Sequence, residues 1–390
     1  MNDASSGIYE VPWNSRAWER AILARDDIAR IGGRGDWVLY RPSRLIVRTR
    51  ALRDKRVNTA LKRAKAERLD GRLTEVAKAL GYTVFVVRDD QLVKLVQRIR
   101  SYVAHSASLD HVHLPGPNRI HGDDLPVPAE GPLAISGDGA AGEGISVLVL
   151  DTGFADPHPF AVTASPADAE VADENGDRHR DHAAGHGTHV AGVVASYAPG
   201  AQIIARRLLR SPVGEASDLE VAGALLNHGG ADIINCSFGS TGLNDAPPIV
   251  IEDAIAALPP STVVVAAAGN AGTNRPHYPA ACNGVVAVGA VGSPNNDGTW
   301  LQTDFSNYGI WVDCCAPGVA IASTFVDRPD LGFEGFATWT GTSFAAPAVA
   351  ATIAALATQS GISVQEAAAT LRAMPRLGAV GALVDPAAVL

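Results

Sequence analysis

The chain has 390 residues, of which 47% are hydrophobic, 19% charged and 6% aromatic. That balance excludes a disordered, collagen-like or coiled-coil chain, and no apolar run in the sequence reaches the ~18–20 residues of a membrane span. The formal net charge of −9 divides unevenly, with +10 on residues 1–120 and −19 on the remainder. All five lysines lie in the first part. The basic residues are spread over helical and strand patterns, with no stacking platform or zinc-finger spacing, so mutual attraction of the two parts is the expected reading and nucleic acid is not the expected partner.

In chain order, residues 14–30 read as a short amphipathic helix ended by Gly32 and Gly33. Leu45-Ile46-Val47 reads as a strand, and a long basic helical stretch broken at Gly71 runs to about Leu80. Thr83–Val87 is β-prone, Asp89 or Asp90 is placed to cap a helix carrying Leu92, Val96 and Ile99, and a short apolar piece follows at Val112-His113-Leu114. Residues 1–35 are therefore an N-terminal extension, 36–120 a small α+β domain, and 121–144 a linker rich in Pro, Gly and Asp. From 145 to 390 the pattern changes to unbroken apolar strands at 145–150, 203–209, 233–237, 262–268 and 285–291, separated by Ala-rich helical segments. Such alternation specifies a parallel sheet covered on both faces, with chemistry at the carboxyl ends of its strands. Asp151, Ser237 and Asn270 fall at such ends.

The first ten residues show neither a basic nor an apolar leader. The four cysteines (Cys236, Cys282, Cys314, Cys315) read as buried thiols and not as a disulfide framework. Both point to the cytoplasm, with non-classical export left open.

Three segments carry chemistry. Asp151-Thr152-Gly153 taken alone is half of an aspartic-protease site, but no second copy exists. Gly185-His186-Gly187-Thr188-His189 opens a helix. His182, His186 and His189 have a spacing that raises zinc, yet Gly187 stands where the metalloprotease signature needs Glu, and His189 reads as a packed helix residue. In Thr340-Gly341-Thr342-Ser343-Phe344-Ala345-Ala346-Pro347, a tight turn delivers a serine to a helix start, with the proline expected in the first turn.

Together these segments resemble the subtilisin-like serine proteases, in the family's order Asp, His, Ser. Val265-Ala266-Ala267-Ala268-Gly269-Asn270 resembles the strand that delivers the oxyanion-hole asparagine, and Ile234-Asn235-Cys236-Ser237-Phe238-Gly239 the strand lining the substrate cleft. The resemblance covers about 145–390. It implies an α/β, three-layer peptidase domain with a mostly parallel central sheet, behind a small α+β propeptide-like domain. It implies a serine endopeptidase in which Ser343 attacks, His186 is the base, Asp151 orients His186 and Asn270 holds the oxyanion, with no cofactor required. A protein or peptide substrate would lie along 214–217 and 237–239, with Gly214, Ser237, Phe238, Gly239, Ala268, Gly269 and His277 as binding residues. No acidic residue marks its primary pocket, which implies a neutral side chain there.

The residues depart from the family in places. The helix after His186 passes directly through Ala198-Pro199-Gly200 into the next strand, so the common calcium loop is expected to be absent. The acidic stretch 168–181 and the loop 295–304 remain where calcium could bind, solvated loops being the plainer reading. The N-terminal domain resembles a subtilase propeptide in element order and size, which implies an intramolecular inhibitor and folding chaperone that the peptidase cleaves from itself. The alternatives left open are a catalytically silent peptide-binding protein on the same fold and a basic module docking the protease elsewhere. No membrane partner is expected.

Overall fold

The computed structural model describes residues 15–33, 37–116, 125–130, 139–156 and 158–389. An eight-stranded sheet forms the centre of the larger domain. Its strands Gln202–Arg207, Ser146–Asp151, Ile233–Cys236, Val263–Ala267, Val285–Val291 and Cys314–Pro317 pair in that order, all parallel. The sequence foresees five of these strands and their parallel pairing, because unbroken runs of Val, Ile and Ala show little polar face to water; Cys314–Pro317 and the order of pairing come from the structure. On one side lie helices His186–Tyr197 and Thr342–Ser360; on the other lie Asp218–Leu226 and Ile249–Ala256. Ser217 and Glu220 close a reciprocal capping box that starts the third of these helices.

Helix Thr342–Ser360 is long and apolar enough to cross a membrane by length and composition, yet most of it is buried in the core. Pro347 lies inside this helix, a turn beyond the first turn expected from the sequence. A proline there has no N–H for the carbonyl four residues back, which is that of Ser343. The freed carbonyl accepts instead from the Ser237 hydroxyl at 2.7 Å. The proline thereby ties the serine turn to the neighbouring strand.

The smaller domain is an antiparallel sheet in which Ala107–His113, Val38–Arg48, Tyr82–Val86 and Glu67–Arg68 are successive neighbours. Helices Lys55–Arg63 and Asp89–Tyr102 cover one face. The other face, through Ile46, Tyr82 and Val84, packs on Leu219, Val221 and Ala222 of the larger domain. The long basic stretch is two helices, Lys55–Arg63 and Arg72–Ala79, with strand Glu67–Arg68 between them. The helix expected over 14–30 is shorter, Ser15–Leu23. Ala29–Ile31 is a strand on Val38–Tyr40, with Ile28 buried beside Trp18 and Trp37 and Ile31 packed on the core of the smaller domain.

The junction carries the opposite charges the composition pointed to. Arg48 pairs with Asp253, Nη2 to Oδ1 being 3.0 Å, and Tyr82 donates to the same carboxylate at 2.6 Å. Arg25 and Arg41 meet the buried Glu215 at 2.6 and 3.4 Å. Part of the expected linker joins the larger domain, since Val127–Pro128 pairs with strand Phe333–Trp339.

Candidate active site

Asp151 ends its strand with no solvent exposure. Its Oδ1 accepts from His186 Nδ1 at 2.7 Å and from the Thr152 backbone at 2.8 Å. The two residues, 35 apart in sequence, come this close because Gly187 lets the helix start lie against Gly153; a side chain at 187 would overlap the Gly153 carbonyl. The His186 ring is held between Trp339 and Phe344, each with its centroid 5.4 Å away.

Ser343 is the second residue of its helix, almost fully buried, and lines the same cleft as His186. Its hydroxyl donates to the Ser237 carbonyl at 3.2 Å. Asn270 is fixed in orientation by two bonds to its Oδ1, from the Thr342 backbone at 2.9 Å and the Thr342 hydroxyl at 2.8 Å. The Asn270 amide nitrogen is thereby aimed into the cleft, where it donates to the carbonyl of Gly116.

That carbonyl lies three residues beyond the smaller domain's strand Ala107–His113, whose end runs along the cleft as an added strand. Leu114 and Gly239 exchange backbone hydrogen bonds at 3.0 and 2.9 Å, and His113 and Val112 pair with Ala216 and Ser217. Pro115 sits beside Gly214, whose φ of +66° and contact with Ala183 leave no room for a side chain. Counting back from the carbonyl at Asn270, Gly116 is first, Pro115 second, Leu114 third and His113 fourth. Other parts of the smaller domain also reach the site: Trp18, Trp37 and Leu39 pack on Leu114, and Trp18 stands 6.1 Å from His182.

The remaining expected binding residues divide. Phe238 and Gly239 border the added strand. His277 stands against Gly239 and Gly269 and shares a cavity with Gly116, Asn270 and Asn307. Ala268 is fully buried, and its carbonyl accepts from Asn307. The Ser237 side chain braces Ser343 and does not face the cleft.

His189 is buried among aromatics, and burial, helped by nearby His186, pushes its pKa down to about 3. His182 is likewise held down to about 3 by burial and by Arg180. Neither belongs to a group of three or more His, Cys, Asp or Glu that could hold a metal ion, and the described residues contain no such group. In the acidic stretch, Asp173, Asp177 and Asp181 accept from the backbone of Arg178, His179 and Glu174.

Spacing gave no sign of Glu170. Its Oε2 accepts from Thr152 and Thr188 at 3.0 and 3.3 Å, directly behind the Asp151–His186 pair. Burial raises its pKa to about 7, with the Thr152 bond opposing and Asp151 adding.

Residues 142–374 match the Peptidase_S8 subtilase family. The chain is 36% identical over 228 residues to a thermophilic serine proteinase of Bacillus sp. strain AK1, covering 55% of this chain and 53% of that protein. It is 34% identical over 226 residues to subtilisin Savinase of Lederbergia lenta, covering 54% of this chain and 76% of that one. The chain thus spans about half the length of the first of these relatives and three quarters of the second. Fervidolysin of Fervidobacterium pennivorans, a keratinolytic enzyme related to subtilisin, matches in fold with a TM-score of 0.61 at 20% identity, over 94% of this chain and 62% of that one. The protease domain of PatA matches at 0.52 and 25% identity, over 63% and 94%. Family model, relatives and fold agree with the motifs: the chain belongs to the subtilase family.

Proposed function

We propose that the chain is a serine endopeptidase that hydrolyses peptide bonds through an acyl-enzyme at Ser343, with its N-terminal domain as intramolecular inhibitor and folding partner. The observation that carries the reading is the Gly116 carbonyl. It accepts from Asn270 in the cleft lined by His186 and Ser343, where a reacting carbonyl would need its oxyanion donor.

The chemistry follows from the groups present. The Ser343 hydroxyl turns from the Ser237 carbonyl to His186 Nε2, which takes its proton as the oxygen attacks the carbonyl carbon. Asp151, accepting from Nδ1, fixes the tautomer and balances the imidazolium. The oxyanion is held by Asn270 and by the Ser343 N–H, one of the first-turn donors that a helix leaves unpaired. His186 then protonates the departing amine. Water, deprotonated by the same histidine, releases the acyl group.

Self-processing is part of this proposal. The bond whose carbonyl meets Asn270 is Gly116–Pro117, and the proline nitrogen bears a ring carbon where an ordinary amide bears hydrogen. Crowding on the leaving side makes this a slow bond and the inhibitor a long-lived one. The test is intact mass after hours at neutral pH. Pro117→Ala is expected to split after residue 116 faster than wild type, and the same variant combined with Ser343→Ala to stay whole. Splitting that persists without Ser343, or equal rates with and without Pro117, contradicts the reading.

A further inference from the structure

The strand in the cleft is held by more than its backbone. His113, fourth from the carbonyl at Asn270, places Nε2 2.7 Å from Oδ1 of Asp218, and its ring stands edge-on to Phe238 at 6.0 Å. Two residues back on the same face, His111 Nδ1 lies 2.8 Å from the other oxygen, which also accepts the His111 backbone N–H at 2.9 Å. The Leu243 N–H donates to His111 Nε2, so the His111 proton is on Nδ1 and points at Asp218. All three side chains are without solvent exposure.

Asp218 itself belongs to the peptidase domain. It is the first residue of helix Asp218–Leu226, where the helix dipole favours a negative charge. Burial works against its ionisation, but His111 and His113 more than offset this and hold the carboxyl below the usual range. The groups that satisfy it, His111 and His113, and the nearby Asp110 and Arg44 all lie on the N-terminal domain. When that strand leaves and a substrate strand takes its place, the carboxylate stays behind at the wall of the cleft without its donors.

We propose that Asp218 determines specificity at the fourth residue before the scissile bond, selecting peptides with a cationic or imidazole side chain there. His113 is the internal occupant of that subsite. The inference rests on the endopeptidase reading above. An apolar residue at this position would leave a desolvated carboxylate unpaired, whereas Arg, Lys or His returns the charge-assisted hydrogen bond. The difference is about tenfold or more in rate of engagement.

The test uses the full chain, both wild type and His113→Ala, the latter withdrawing the internal occupant. The probes are peptidyl diphenyl phosphonates of sequence X-Leu-Pro-Ala, with X as Arg, His, Ala or Leu, and adducts at Ser343 are read by intact mass. A fluorophosphonate without peptide counts the reactive sites and normalises the rates. Labelling is expected to be about tenfold faster or more with Arg or His than with Ala or Leu, and the ratio is expected to fall toward one in Asp218→Asn. Equal rates for the four probes, no peptide adduct in either chain while the fluorophosphonate reacts, or a preference that survives Asp218→Asn overturns the assignment. Should Asp218→Asn not fold, the ratios in the other two chains decide. Failure of the fluorophosphonate as well overturns the endopeptidase reading itself.

Discussion

The carboxyl of Glu170 makes a prediction that separates its physics from catalysis. The residue is half-buried, with its carboxylate turned onto the buried hydroxyls of Thr152 and Thr188. Its pKa of about 7 stands above its ordinary 4.5, so the folded chain holds this proton more tightly than the unfolded chain. Stability from this group is therefore fully present below pH 4.5 and is lost as pH rises through about 7. At ~1.36 kcal/mol per unit the full shift corresponds to about 3 kcal/mol, and screening at a half-buried residue reduces this to about 2 kcal/mol. Glu170→Gln keeps an acceptor for the threonines and removes the titration. In a Ser343→Ala background, which prevents self-digestion, unfolding by guanidinium at pH 5 and 7.5 should show the parent losing about 2 kcal/mol more than the variant over that interval. Asp110 and Asp181, whose pKa values are also raised by burial, are common to both chains and cancel. Equal losses in the two chains would refute the argument.

Asn270→Ala should lower kcat by about 10²–10³-fold with little change in KM, the scale known for the oxyanion asparagine of subtilisin, a member of the same family; steady-state peptide hydrolysis checks it, and a loss below fivefold would remove Asn270 from the oxyanion site. The junction between the domains should loosen in acid. The carboxyls of Asp218 and Asp253 are opposed by burial, but their histidine and Arg48 partners hold them below the usual range. Their contribution is present above about pH 4 and is lost as pH falls through the folded values. Limited proteolysis of the Ser343→Ala chain from pH 7 to 3 should show the N-terminal domain becoming cleavable at the acid end, and a flat profile would contradict this.

The peptidase half was legible because its determinants are local. Continuous apolar strands announce a doubly covered sheet, and each residue of the proposed triad sits in a run of glycines and small residues that permits close backbone approach, as Gly187 does for His186. What the sequence hid depends on residues far apart in the chain. Nothing near Glu170 tells that it lies behind Asp151, and nothing near Pro347 tells that its missing N–H frees the Ser343 carbonyl for Ser237. His111 and His113 sit in and beside a short apolar piece, in a strand whose alternation puts both on one face. Their partner Asp218 is 107 and 105 positions away, so only the docking of the two domains gives them a role. Residues 115 and 116, at the end of the expected α+β domain, gave no sign of their place for the same reason: Pro and Gly report a lack of regular structure, not the cleft that receives them.

The central claim is that Ser343 is a nucleophile activated by His186. The most direct measurement is time-resolved labelling of the full chain by a fluorophosphonate at neutral pH, with the adduct located by peptide mass. The account predicts one adduct, on Ser343, and its loss in His186→Ala. An adduct elsewhere, no adduct at all, or labelling that proceeds equally without His186 would contradict it.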